Sequence, residues 1–313
     1  MTRAADMSWL YGHVCGANGV RSDRKLTMQS VFACIDIEHP VVAWATYRGV
    51  LVSAQSGHEY PQCPVSVMMA GMLKRRNSIR LRNELAIEQV RQLRHGQCVS
   101  RLTGMYFFED PLALESAADW GGHFSSDYHA ELGLFPGATI SRHDANWITF
   151  APLDDVRVLT TVDWADSYWA GDAYPGQTPV WELIVDGRAV VYGTDLRERA
   201  YKILKDEFPL CVSILEVGRI AATLESDLGQ TSAWLAQVSE TEYSLDYYLD
   251  LRDADNPEFL QKLGGYVRPK NHADLAVGGD TFTVPDFRRF SEVFAISEPF
   301  ARRFFVGMQA NWI

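Results

Sequence analysis

Glu182 stands inside the apolar run Val180-Trp181-Glu182-Leu183-Ile184-Val185, and an ionisable group in such a run needs a reason. If the run is a strand, Glu182 points to the face opposite Trp181 and Leu183, because successive side chains alternate. A cleft on that face would make the carboxylate a catalytic candidate. Open solvent would make it an ordinary polar residue, and alternation alone favours solvent. The other groups with chemical capacity are dispersed: Tyr47-Arg48-Gly49 after an early apolar run, Ser100 in Val99-Ser100-Arg101, Ser125-Ser126, and the aromatic pair Tyr168-Trp169 ahead of the Glu182 run. Two His/Cys/acid groupings, His58-Glu59…Cys63 and His123…His129-Ala130-Glu131, match neither H-E-x-x-H nor paired-cysteine zinc spacing, so no metal site is expected. The chain contains no phosphate-binding G-x-x-x-x-G-K-[ST] or G-x-G-x-x-G and no G-x-S-x-G nucleophile elbow. P-loop, dinucleotide-fold and common hydrolase chemistries therefore lose their main support.

The elements that would carry these residues follow from pattern. Short β-branched and aromatic runs predict strands at 31–35 and 41–47, at 99–108, at 147–150 and at 156–159. Asp186-Gly187 between two apolar runs predicts a tight hairpin joining 180–185 to 188–192. A helix is expected over 78–95, where Ile79, Ala86, Val90 and Leu93 recur near helical spacing and Gly96 suits the stop. Its outer face and approach carry Lys74, Arg75, Arg76, Arg80, Arg82, Arg91 and Arg94. A solvated face sprinkled with Glu84 and Glu88 is the plainer reading, and a phosphate or nucleic-acid contact the sharper one. Asp110-Pro111 signals a capped helix start, running to Trp120. Thr194 is expected to cap a helix with Leu196, Ala200, Ile203 and Leu204 on one face, ending before Pro209. Beyond a soft boundary near Leu210, short helices are expected near 228–238, 243–251 and 257–263.

Composition bounds the rest. With 313 residues, 47% hydrophobic, the chain can bury one large core or two modest ones. A net charge of -11 argues against sequence-blind affinity for nucleic acid or anionic membrane over the whole surface. Five scattered cysteines, none in a C-x-x-C pair, argue for free thiols in a reducing compartment. The N-terminal stretch has no apolar core of a secretory leader, and no run is long enough to span a bilayer, so the expectation is a cytoplasmic protein with no membrane partner.

Tyr47-Arg48-Gly49 at an early strand end, a serine on a middle strand and Glu182 on a late one resemble the Arg–Ser–Glu arrangement of ADP-ribosyltransferases, over roughly residues 30–200. The resemblance implies an α+β fold with a split, largely antiparallel sheet and flanking helices in residues 1–209, followed by a mainly helical accessory region, 210–313. It implies NAD as substrate, with Arg48 holding phosphates or ribose, Tyr168 and Trp169 stacking on nicotinamide, and Glu182 stabilising the ribose cation. The organising serine is Ser100 or Ser125; neither sits in a full Ser-Thr-Ser. Val180, two residues before Glu182, stands where arginine-modifying members carry Glu or Gln, which argues against arginine as acceptor. The implied activity is transfer of ADP-ribose from NAD to a macromolecule, with Arg80, Arg82, Arg91 and Arg94 leaning toward a nucleic acid. The rivals are NAD hydrolysis on the same fold and a non-catalytic interaction module.

Overall fold

A computed structural model describes residues 28–54, 62–73, 78–120, 124–266 and 283–296. Lys74, Arg75, Arg76, His58, Glu59 and His123 lie outside them.

The first apolar run forms a strand, β1 (Gln29–Cys34), as expected. The second does not: Pro40–Arg48 is a helix, α1. Pro40 occupies the first turn, where its missing N–H costs nothing, and the His39 imidazole accepts from the Val41 amide. Gly49, at φ 91°, closes the other end in the left-handed conformation. Seven of its nine residues are buried, so the helix is apolar nearly all round and carries no periodic signature to separate it from a strand.

Seven strands build the larger sheet. After β1 come β2 (Val50–Val52), β4 (Met105–Phe108), β5 (His129–Leu134), β6 (Thr139–Asp144), β7 (Trp181–Asp186) and β8 (Arg188–Val191), in the order β2-β8-β5-β1-β4-β7-β6 with every pair antiparallel. The hairpin expected at Asp186-Gly187 is not there. β7 pairs with β4 and β6, and β8 pairs with β5 and β2. Gly187 is instead a corner in one long bent strand, held at φ 152°. Ser53 supplies what a turn would have supplied: its amide donates to the Gly187 carbonyl at 3.0 Å, its hydroxyl accepts from the Gly187 amide at 2.9 Å and donates to the Asp186 carboxylate. The partner strand bends alongside, β5 running on into β6, so Leu132↔Val191 and Asp144↔Trp181 belong to one long ribbon. Because β1 bridges β5 and β4, and β4 pairs with β7, the ladder closes on itself through that corner.

The smaller antiparallel sheet has the order β11-β10-β9-β3, from β3 (Gln62–Val65), β9 (Thr231–Gln237), β10 (Glu242–Leu249) and β11 (Glu292–Ala295). Two of its strands occupy the stretches expected to be helical near 228–238 and 243–251. In β10, Tyr243, Leu245 and Tyr247 are buried in strict alternation, the two-residue period of a half-buried strand. β3 belongs to the N-terminal part and pairs with β9 in register Cys63↔Leu235, so the sheet spans the expected boundary at 209/210. The core does the same, joining Trp44, Leu51 and Leu132 to Ile214, Leu235 and Phe294.

The remaining helices are α2 (Val67–Leu73), α3 (Ser78–Arg94), α4 (Pro111–Ser116), α5 (Asn146–Thr149), α6 (Ala165–Ala170), α7 (Thr194–Glu207), α8 (Val212–Thr223) and α9 (Pro257–Gly264). α3, α7 and α9 stand where sequence placed them. Asp110 caps α4 as expected, accepting from the Ala113 amide at 2.8 Å. α7 is preceded by Gly193 with no side-chain cap, so Thr194 does not play that part. The expected strand 147–150 is largely helix α5, and 156–159 is a turn with Arg157 at φ 67°. The architecture is thus α+β with antiparallel sheets. No helix among the described residues is long and apolar enough to cross a membrane.

Candidate functional site

β7 is covered on both faces. Leu183 and Val185 enter the main core, while Ile184, on the Glu182 face, packs in a second cluster with Ile87, Val90, Tyr168 and Trp169. α3 and α6 roof that face, so Glu182 looks into neither a cleft nor solvent and is 8% exposed. The residue that meets it is Arg101, itself 3% exposed, from the turn between α3 and β4. Arg101 Nη1 donates to Glu182 Oε1 at 3.0 Å and to the Tyr168 hydroxyl oxygen at 2.8 Å, and Tyr168 donates to the same Glu182 oxygen at 2.8 Å. The other edge of the guanidinium takes Glu84 bidentately, at 2.9 and 3.2 Å. Tyr106 closes the group by donating to the Arg101 carbonyl.

Two carboxylates thus share one guanidinium, and they share it unequally. Burial penalises the charge on both. At Glu84 the Arg101 and Arg80 guanidiniums outweigh that penalty and hold the carboxyl below its ordinary range. At Glu182 burial wins over Arg101, and its pKa is raised. Removing one partner of such a buried set costs about 3–5 kcal/mol, since it strands a charge away from water. Chemically, this arrangement locks α3 and α6 to β7.

Of the residues singled out by sequence, Tyr168 and Glu182 are brought together. Trp169 lies beside them, donating from its indole to the Ile87 carbonyl at 3.1 Å. Ser100 neighbours Arg101 in sequence but serves the turn, its hydroxyl accepting from the Leu102 amide at 3.1 Å and lying against Glu88. Ser125 caps a single 3-10 turn, accepting from the Asp127 amide. Arg48 ends a helix rather than a strand and belongs to a different place, donating to the carbonyls of Ser226 at 2.6 Å and Leu228 at 3.3 Å.

The basic face of α3 is neutralised from within the protein. Arg80 pairs with Glu84 at 2.9 Å, Arg91 with Glu88 at 2.7 Å and Arg94 with Asp166 at 3.2 Å, and Arg82 is likewise engaged. Glu84 and Glu88, read as solvent-facing from sequence, are 1% and 2% exposed. The signal was present: Leu81, Glu84, Leu85 and Glu88 fall at i, i+3, i+4 and i+7, which places the carboxylates on the leucine face.

The second place with chemical capacity lies where the sheets meet. Two adjoining cavities share Val52, Val67, Gln230 and Thr231 as walls. The inner one, about 10 Å³, is lined by Arg48; the outer one, about 60 Å³, is lined by Ser53, Ser66, Ser232, Trp234, Asp250 and Arg252. Three of the lining residues carry a buried atom without a hydrogen-bond partner: Arg48 Nη1, Gln230 Oε1 and Thr231 Oγ1. Sequence reading missed Gln230 and Thr231 because it placed them in a helix. Among the described residues, no group of three or more His, Cys, Asp or Glu could hold a metal, and Cys34, Cys63, Cys98 and Cys211 are free thiols. Compared with protein-family models and with curated proteins, the chain finds no match in either.

Proposed function

We propose that the protein acts by binding a small polar molecule in the outer cavity between its two sheets, and not by turning over NAD at Glu182. The observation that carries this reading is the cavity's mixed lining, whose walls include Gln230 and Thr231, each with a buried side-chain oxygen that has no hydrogen-bond partner. Buried polar groups are nearly always satisfied, and an orphan in a cavity calls for an occupant. Val52, Ala54, Val65 and Val67 give that cavity an apolar side, and hydroxyls with the Asp250–Arg252 pair give it a polar one, a lining that orients a small ligand. At about 60 Å³ it suits a molecule of a few heavy atoms, not a dinucleotide. ADP-ribose transfer or NAD hydrolysis would require Arg48 and Glu182 to face one ligand. Arg48 is buried and turned to the carbonyls of Ser226 and Leu228, and Glu182 is bonded to Arg101 and Tyr168.

Trp234 lines the cavity, so its fluorescence reports occupancy. Titration with small polyols, amides and hydroxy acids should find a saturable quench, abolished in Ala54→Leu, which fills the cavity without removing a hydrogen bond. In parallel, wild-type protein and Glu182→Gln are incubated with NAD and nicotinamide release is followed. The expectation is no turnover by either, with Glu182→Gln costing about 1–3 kcal/mol, because Gln keeps an oxygen for Arg101 and Tyr168 but buries an N–H₂ group that the carboxylate did not carry. Release of nicotinamide by the wild type, lost in a folded Glu182→Gln, would return the function to NAD chemistry.

A further inference from the structure

The stretch between β6 and β7, residues 145–180, is long and mostly irregular, holding only the short helices α5 and α6. Connections of that length inside a compact fold are uncommon and usually serve a function. Part of this one packs inward: Tyr168 and Trp169 build the second apolar cluster, and Trp147 and Trp164 pack against it. Phe150, Leu153, Val156 and Tyr174 belong to none of the three apolar clusters. Phe150 is 49% exposed and Val156 61%.

The surface rings are held in place. Trp147 and Tyr174 meet edge to face with their centroids 4.8 Å apart, and Phe150 lies 5.4 Å from Tyr174. Asp144, fully buried at the end of β6, accepts from the amides of Asn146, Tyr174 and Val180 at 3.1, 2.8 and 3.0 Å. The Asn146 side chain donates to the Thr178 carbonyl at 2.9 Å, and the Trp147 indole to the Asp172 carbonyl at 2.9 Å. Exposed aromatics fixed in advance lose little freedom on association, which is the character of an interface hot spot.

The charge of the stretch selects the partner. Its charged side chains are Asp154, Asp155, Asp163, Asp166 and Asp172 against Arg157 alone. Asp166 is paired with Arg94, but Asp155 and Asp172 are exposed and in no ion pair among the described residues. The bond from the Trp147 indole puts Asp172 beside the rings. Such a surface repels nucleic acid and anionic membrane, and a second copy of the chain, at net charge -11, meets it with like charge. Lysine and arginine suit both of its parts, since ring faces attract a cation and the carboxylates pair with it.

We propose that the β6–β7 stretch docks a basic polypeptide segment, with a lysine or arginine laid on the Phe150 and Tyr174 rings beside Asp172. The surface shares no residue with the outer cavity, so the two can be tested apart.

The test uses the full chain and a fluorescein-labelled peptide of alternating arginine and glycine, followed by anisotropy at low salt. Binding should saturate. Phe150→Leu keeps the bulk and loses the ring face, and Asp172→Asn loses the charge; each should weaken binding roughly fivefold or more. Glu115→Gln, which removes one exposed charge from α4, should leave it unchanged. All three positions are exposed, so melting should stay at the wild-type value. Absence of saturable binding overturns the assignment. Equal weakening in Glu115→Gln also overturns it, leaving net charge alone as the cause. Binding of a cello-oligosaccharide or of phosphatidylserine vesicles in place of the peptide, lost in Phe150→Leu, would make the rings a sugar platform or a membrane contact instead. A dimer in sedimentation that Phe150→Leu breaks would make this face a self-contact.

Discussion

His143 shows how closely the buried cluster ties protonation to packing. Its ring stacks on Tyr168 at 4.6 Å, Nδ1 donates to the Tyr168 carbonyl at 2.8 Å, and Nε2 is buried without a partner. Burial, with the nearby Arg101 charge, lowers its pKa from 6.5 to about 4. In the window between those values the unfolded chain binds a proton that the folded chain refuses, so stability falls as pH falls. From pH 7 to pH 5 the loss from this residue should be about 2 kcal/mol. Glu182 works in the opposite sense, its raised pKa favouring the fold as pH drops, so the two must be separated by substitution. Urea unfolding of wild type and His143→Phe at pH 7, 6 and 5 isolates the histidine. The variant should lose most of that slope while keeping a ring against Tyr168, and an unchanged slope would place the titration elsewhere.

Among the elements, the decisive one is the bent strand that runs from β7 through Gly187 into β8. A Cβ at Gly187 would meet the Ala138 Cβ at 2.9 Å, and a φ of 152° is strained for any residue with a side chain. Gly187→Ala should therefore destabilise by about 1–3 kcal/mol, read as a lower urea midpoint. Were Asp186-Gly187 a solvent-exposed hairpin tip, alanine would cost less and Ser53→Ala nothing. Here Ser53→Ala should be costly too, because it removes two of the three bonds that pin the corner. A matching pair of neutral substitutions would dissolve the corner.

At the scale of the whole molecule, the two sheets share one core and several cross-links. Trp44 donates its indole N–H to the Gly229 carbonyl at 3.0 Å, Arg48 holds Ser226 and Leu228, and β3 is paired with β9. A fragment ending at residue 209 would expose Trp44 and Cys63 and leave β3 without its strand. It should show no cooperative melt, while the full chain melts in a single transition. A fragment with a sharp transition near that of the full chain would establish an independent N-terminal unit.

Sequence alone determined what local forces decide. α3, α7 and α9 carry their own periodicity and stops, β1 is short and β-branched, and Asp110-Pro111 announces α4, since capping and amphipathic spacing act within a few residues. The place of Glu182 within a strand was also legible from the run around it. Tertiary structure decided the rest. α1 is buried on all sides, so its composition reads equally as strand, and only the helices and sheet around it settle the matter. Asp186-Gly187 has the chemistry of a turn, yet Ser53, more than a hundred residues away in sequence, supplies partners that make a corner instead. Whether the Glu182 face meets water, a cleft or Arg101 depends on α3 and α6 folding over it. Alternation along a strand reports which side a residue faces and never what lies on that side.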